Sequence, residues 1–169
     1  MADQRGDDPS ERLARRVDAL EQRIGALEDE LAIHRLIVRY GFAVDTGDSV
    51  ATAALFTSDT VYDVDTTLVM HGREGVAAMV DGPRHQSLLP NCAHTIGPAV
   101  VAVDGDRAVA TAYSRIYKRD GETLALWRLS FNRFELERRD GRWQIARRTT
   151  RLLGHEEAQA LLALAAREP

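Results

Sequence analysis

The chain holds one cysteine, Cys92, among its 169 residues, which excludes an intrachain disulfide. No apolar run approaches the roughly 20 residues that cross a bilayer. The segment from Met1 to Arg16 is charged and has no apolar core of a secretory signal. A cytoplasmic protein with no membrane partner is the expectation. Positive charge is also short: 22 Lys and Arg against 26 Asp and Glu leave a formal net charge of -4, so a nucleic-acid partner has no electrostatic support. Lysine is almost missing, Lys118 being the only one; the arginine bias says little about function. HExxH, CxxC, P-loop and GxGxxG motifs are all absent, so no metal or nucleotide cofactor is implied. Cys92 and His94 share a strand face, but two ligands do not make a zinc site.

What is present is 44% hydrophobic residues, enough for one domain with a buried core. Met1 to Pro9 reads as disordered, with Ser10 as a helix cap. Leu13, Val17, Leu20, Ile24, Leu27 and Leu31 then alternate spacings of four and three. This is a heptad seam sustained for nearly three heptads, with charged residues between. It points to a helix packed on a copy of itself, hence a homo-oligomer, a dimer if the seam is parallel, with the sheet as the alternative interface. The alternative is an amphipathic helix lying on its own domain. The mixture of Leu, Val and Ile along the seam leaves the strand number open. From Ile33 the stripe widens through Leu36, Ile37, Tyr40, Gly41 and Val44 to that of a core-packed helix, ending near Gly47. Residues 1–32 are thus read as an extension, 33–153 as the main domain and 154–169 as a C-terminal helix.

After the first core helix come a short helix, Val50 to Phe56, capped by Ser49, strands Thr60–Asp65 and Thr67–His71, a helix Val76–Asp81 and a loop from Gly82 to Pro90. Ala93–Val103 is a strand broken at Gly97-Pro98. Arg107–Lys118, Thr123–Glu137 and Arg142–Leu152 follow as long strands. Asp104-Gly105, Asp120-Gly121 and Asp140-Gly141 supply hairpin turns. Helices gathered before an antiparallel meander make an α+β fold. A twisted sheet curled around helices encloses a natural ligand cavity.

Several segments carry a family resemblance. They are Tyr40-Gly41-Phe42-Ala43-Val44-Asp45, Ala54-Leu55-Phe56-Thr57-Ser58-Asp59-Thr60-Val61-Tyr62, Gly72-Arg73-Glu74-Gly75, the His94 strand, and Arg138-Arg139-Asp140-Gly141-Arg142-Trp143-Gln144-Ile145. Over about 120 residues, Ile33 to Leu152, the chain resembles the SnoaL-like and scytalone-dehydratase-like group, which shares the cone-shaped half-barrel of nuclear transport factor two. The resemblance is specific for fold and much less so for activity, because this fold hosts dehydratases, dehydrochlorinases, isomerases, polyketide cyclases, epoxide hydrolases and non-catalytic subunits.

The resemblance implies an acid–base pair. Hexachlorocyclohexane dehydrochlorinase, scytalone dehydratase and bile-acid dehydratase carry an aspartate at the place of Asp45 and a histidine on the strand of His94. A carboxylate bonded to Nδ1–H fixes the imidazole tautomer and frees Nε2 to take a proton. By residue type alone, Asp45 also reads as a solvated helix end and His94 as a satisfied core histidine. Tyr40 matches a tyrosine of the bile-acid dehydratase and polarises a carbonyl or packs the core. Arg148, five residues after Trp143, matches a dehydrochlorinase arginine that stabilises departing negative charge, or is a surface arginine. Ser130 and Asn132 share a strand face with Arg128, opposite Trp127, and resemble a Ser-x-Asn pair of scytalone dehydratase. Trp127 and Phe56 complete the candidate substrate-binding set. His85 is a lid candidate, and His71 reads as strand-end structure. The expected chemistry is cofactor-independent proton abstraction from a hydrophobic, cyclic, oxygenated small molecule, ending in elimination of water, cyclisation or double-bond migration. A non-catalytic binding or assembly domain is the alternative. A hydrolase needs a second carboxylate, for which Asp63 and Asp65 are the candidates.

Overall fold

The computed structural model describes residues 8–167. The expected disorder of Met1–Pro9 falls, up to Asp7, outside the described residues. The chain enters directly into α1, Pro9–Asp45, a helix of 37 residues. Asp8, not Ser10, caps it: the Asp8 carboxylate accepts the Ser10 N–H at 3.2 Å, and Pro9 takes the first helical position, where its missing N–H is no loss. α1 runs without a break through Ile33, and the buried stripe that begins there lies on nearly the opposite side of the helix from the seam. The reading in which the seam lies on its own domain is corrected here. All six seam residues are between 44% and 65% exposed.

One anchor ties the middle of α1 to the sheet. Asp29 accepts from Arg138 Nη2 at 2.6 Å and from Trp143 Nε1 at 3.0 Å, and the Arg138 guanidinium lies 4.6 Å above the Trp143 ring. The hydrogen bond from Arg138 is the main cause holding the Asp29 carboxyl below its ordinary value. The folded state therefore binds that proton less tightly than the unfolded chain. Its contribution to stability is present above the ordinary carboxylate range near pH ~4 and is lost as pH falls through the lowered folded value. Asp29→Asn should cost about 1 kcal/mol near neutral pH. The deficit should shrink steadily once thermal melts are run below pH ~4.

α2 (Ser49–Ala54) is capped by Asp48, whose carboxylate accepts the Ala51 N–H at 2.8 Å, in place of the expected Ser49. Phe56 opens β1 (Phe56–Val64) and does not close the helix. β2 (Leu68–His71) pairs back on β1, and α3 (Gly72–Asp81) begins at Gly72, four residues earlier than the apolar pattern indicates. The expected loop contains a single helical turn, α4 (Pro83–Gln86). β3 (Cys92–Ile96), β4 (Val100–Asp104), β5 (Arg107–Asp120), β6 (Thr123–Arg139), β7 (Arg142–Leu152) and α5 (Glu156–Ala165) complete the chain.

The sheet order is β2-β1-β7-β6-β5-β3, with β4 also beside β5. β3 runs along Ser114–Lys118 and β4 along Arg107–Thr111, so they are two halves of one edge interrupted at Gly97-Pro98. The simple meander needs one correction: β1 lies parallel to β7. This pairing carries Tyr62 beside Arg148 in register. The C-terminal half of α1 packs Ile33, Leu36, Ile37, Tyr40 and Val44 into one core with Phe134, Leu136 and Ile145 of the curved sheet. The architecture is α+β, and the space left between helices and sheet is the candidate site. Among the described residues no helix is long and apolar enough to cross a membrane.

Candidate active site

A cavity of about 740 Å³ opens between α1, α3, α4 and the sheet, lined by Tyr40, Tyr62, Met79, His85, Leu88, His94, Ile116, Trp127 and Arg148 among others. Its size falls in the range of small-molecule sites, ~300–1,000 Å³.

Asp45 and His94 meet at its wall. Oδ1 of Asp45 accepts from His94 Nδ1 at 2.6 Å, and Oδ2 accepts from the backbone N–H of the same histidine at 2.7 Å. Because a carboxylate only accepts, Nδ1 carries the proton, and Nε2 of the neutral ring is the basic atom. The two side chains are 14% and 22% exposed for His94 and Asp45. His94 lines the cavity and Asp45 stands behind it.

Gly41 makes this contact reachable. It lies one helical turn before Asp45, and a Cβ there would collide with the His94 carbonyl oxygen. The missing side chain lets α1 approach the β3 backbone closely enough for a short aspartate to bridge the gap. Gly41→Ala should destabilise the fold by about 1–3 kcal/mol through overpacking. It should also push Asp45 away from His94, which a ring-nitrogen NMR measurement would show as a lost Nδ1–H hydrogen bond.

Two further groups touch the pair. The Cys92 thiol donates to Asp45 Oδ1 at 3.6 Å. Burial, and after it the Asp45 charge, push that thiol up to about 11, so it stays neutral. Asp45, Cys92 and His94 form a group of potential metal ligands. The 2.6 Å bond between Asp45 and His94 is shorter than the separation of two atoms sharing a zinc ion at ~2.0 Å each, and the arrangement is that of hydrogen bonds. His85, from α4, is buried. Its Nε2–H donates to the Val44 carbonyl at 2.7 Å, and its ring centroid is 5.8 Å from that of His94. The second imidazole is therefore a wall residue beside the first.

Arg148 forms the floor. It is 3% exposed, yet among the described residues no carboxylate pairs with it. Nε and Nη2 donate to Asn132 Oδ1 at 3.0 and 2.9 Å, while Nη1 is buried with no partner. The rings of Tyr40, Tyr62 and Phe134 lie 4.2, 4.6 and 4.9 Å from the guanidinium carbon, and their π faces stand in for a counter-ion. The Tyr40 and Tyr62 hydroxyls are 3.5 Å apart. Burial, then Tyr62, raise the Tyr40 phenol above its ordinary value, with Arg148 offsetting part of this. Tyr40 keeps its proton and is a hydrogen-bond donor.

The remaining candidates divide. Asn132 is fully buried and does not line the cavity. Its Oδ1 takes Arg148 and Thr150, and its Nδ2 donates to Ser114 Oγ at 2.7 Å. Ser130 is fully buried beside it, its hydroxyl unpaired. Both are corrected from substrate contacts to residues beneath the floor. Phe56 is also corrected: it is fully buried and stacks on Tyr62 with centroids 6.0 Å apart, behind the cavity wall. Trp127 does line the cavity, together with its neighbour Arg128. Strict alternation puts them on opposite faces. The pairs Ile116–Arg128 and Tyr117–Leu126 leave Trp127 as the extra residue of a β-bulge, which re-aims it. Asp65 is bonded to Arg128 at 2.6 Å and Asp63 to Arg151 at 2.6 Å, so neither second-carboxylate candidate is unpaired. Tyr62 was missed. The inward alternation of Thr60, Tyr62 and Val64 is the signal that finds it.

A SnoaL-like domain model matches residues 25–149. The chain belongs to the SnoaL-like family. Among solved structures, an NTF2-like protein with a cystatin-like fold from Novosphingobium aromaticivorans shares 37% identity over 92% of this chain and 97% of that one, with a TM-score of 0.81. A protein from the same organism provisionally named a scytalone dehydratase shares 18% identity over 75% of this chain and 85% of that one, with a TM-score of 0.65. A β subunit provisionally assigned to an aromatic-ring-hydroxylating dioxygenase, again from that organism, shares 19% over 75% and 90%, with a TM-score of 0.64. The last two show the SnoaL-like fold alone. No curated protein matches the chain.

Proposed function

We propose that this SnoaL-like chain is a cofactor-independent lyase of the dehydratase type, or an isomerase or cyclase working through the same enolate. Its substrate is a hydrophobic, cyclic, oxygenated small molecule. The observation that carries the reading is the Asp45–His94 contact of 2.6 Å at the wall of a cavity of about 740 Å³. His94 Nε2 removes a proton from carbon next to a carbonyl. Asp45 holds the ring and stabilises its imidazolium form. The Tyr40 and Tyr62 hydroxyls polarise the carbonyl oxygen. Arg148, a buried cation with no carboxylate partner among the described residues, stabilises the negative charge that develops or departs.

Deuterium exchange tests the common step without assuming the product. Wild type and His94→Ala are incubated in D₂O with cyclic hydroxy-ketones and polyketide-like ketones, and the α-carbon signals are followed by NMR. Exchange by wild type at a rate lost in His94→Ala supports the reading. Ligand binding without exchange or turnover in either protein defeats it. The exposed seam along α1 favours that second reading, a small-molecule-binding or assembly domain.

A further inference from the structure

The α1 seam can be read in register, and the register names its occupant. Taking Val17, Ile24 and Leu31 as positions a makes Leu13, Leu20 and Leu27 positions d. Two of the three a residues are β-branched and all three d residues are leucine, the pattern that favours two parallel strands. The flanking positions agree. Arg16, Arg23 and Glu30 fall at g, and Glu21, Glu28 and Arg35 at e. In a parallel pair each g residue meets the e residue five positions on in the other copy. The three resulting pairs are Arg16 with Glu21, Arg23 with Glu28 and Glu30 with Arg35, all of opposite charge. An antiparallel pairing of the same seam sets Arg23 against Arg23 and Glu21 against Glu21.

The domain leaves room for this partner. At ~100° per residue, the seam is centred about 160° around α1 from the face that carries Ile33, Leu36, Ile37, Tyr40 and Val44 into the core. Asp29, the anchor to the sheet, lies toward the core side. Val38 and Phe42, 45% and 66% exposed, extend the seam side along the domain. We propose that two copies of this chain associate through a parallel, two-stranded coiled coil of α1, about 27 Å long from Leu13 to Leu31.

Light scattering on the full chain should give twice the chain mass. Leu20→Asp/Ile24→Asp should reduce it to one, with the circular dichroism spectrum and cooperative melt of the domain retained, because both side chains are exposed and outside the buried core cluster. Arg16→Glu/Arg23→Glu should raise the dimer Kd at least tenfold. Adding Glu21→Arg/Glu28→Arg to that variant should restore it. Ser10 is the next a position toward the N-terminus, so Ser10→Cys should form an interchain disulfide that wild type, carrying only Cys92, does not. In an antiparallel pair the two sulfurs would stand ~36 Å apart. A monomeric wild type, a mass of three or more chains, a mass unmoved by Leu20→Asp/Ile24→Asp, or no cross-link at Ser10→Cys would each overturn the proposal.

Discussion

His94→Ala should lower kcat at least ~100-fold on any ketone returned by the exchange screen, the usual scale for removing a positioned general base. Thermal stability should change little, because His94 is at the cavity wall and not in the apolar core. Asp45→Asn separates orientation from basicity. The carboxylate satisfies two donors of one residue, the His94 backbone N–H and Nδ1–H. An amide has one oxygen for these two donors. With the oxygen on the backbone N–H, the amide NH₂ faces Nδ1, which must then accept, and the ring proton moves to Nε2. That is the atom from which the base must act. Loss of activity on the order of 10³-fold is expected although the imidazole is intact. A ¹⁵N NMR spectrum should show the tautomer reversed. Full activity in Asp45→Asn would remove the aspartate from the mechanism.

Arg148→Met should have effects of opposite sign on stability and activity. Arg148 is buried with no carboxylate partner among the described residues, held by one amide oxygen and three aromatic faces. The fold bears its desolvation, and a methionine of similar volume does not. A neutral apolar replacement at such a site is neutral or stabilising, here by about 2–4 °C in Tm. The same change removes the cation facing the cavity, and activity should fall by at least ~100-fold. Arg148→Lys keeps the charge but loses the planar contacts to the rings of Tyr40 and Tyr62, and should recover only part of it. A variant both less stable and fully active would show that Arg148 serves packing alone. That trade-off, once measured, would mark a group kept for use at the expense of stability.

Much of this fold is legible in the sequence. The Asp-Gly turns delimit β4 to β7, and the widening stripe after Ile33 gives the core face of α1. Asp45 and His94 were found together because the motif around each matches the SnoaL-like pattern. What stayed hidden depends on long-range registration. The parallel β1–β7 pairing that sets Tyr62 beside Arg148 joins residues 86 apart in the chain. Asn132 and Ser130 face the right side of β6, but alternation cannot tell a residue lining a cavity from one buried beneath its floor. Phe56 moved from helix to strand because the helix ends at Ala54, in a segment too short for periodicity to fix.

The bulge at Trp127 has a consequence for how this cavity can diversify. Side-chain direction along β6 beyond the bulge depends on one surplus residue. Deletion of the Leu126 codon would restore regular alternation and set the indole opposite Tyr117, turned away from the cavity. The Asp45–His94 pair on a different strand would be left in place. A deletion, normally ruinous inside a strand, is here a route by which the cavity lining can change in one genetic event while the Asp45–His94 pair is inherited unaltered.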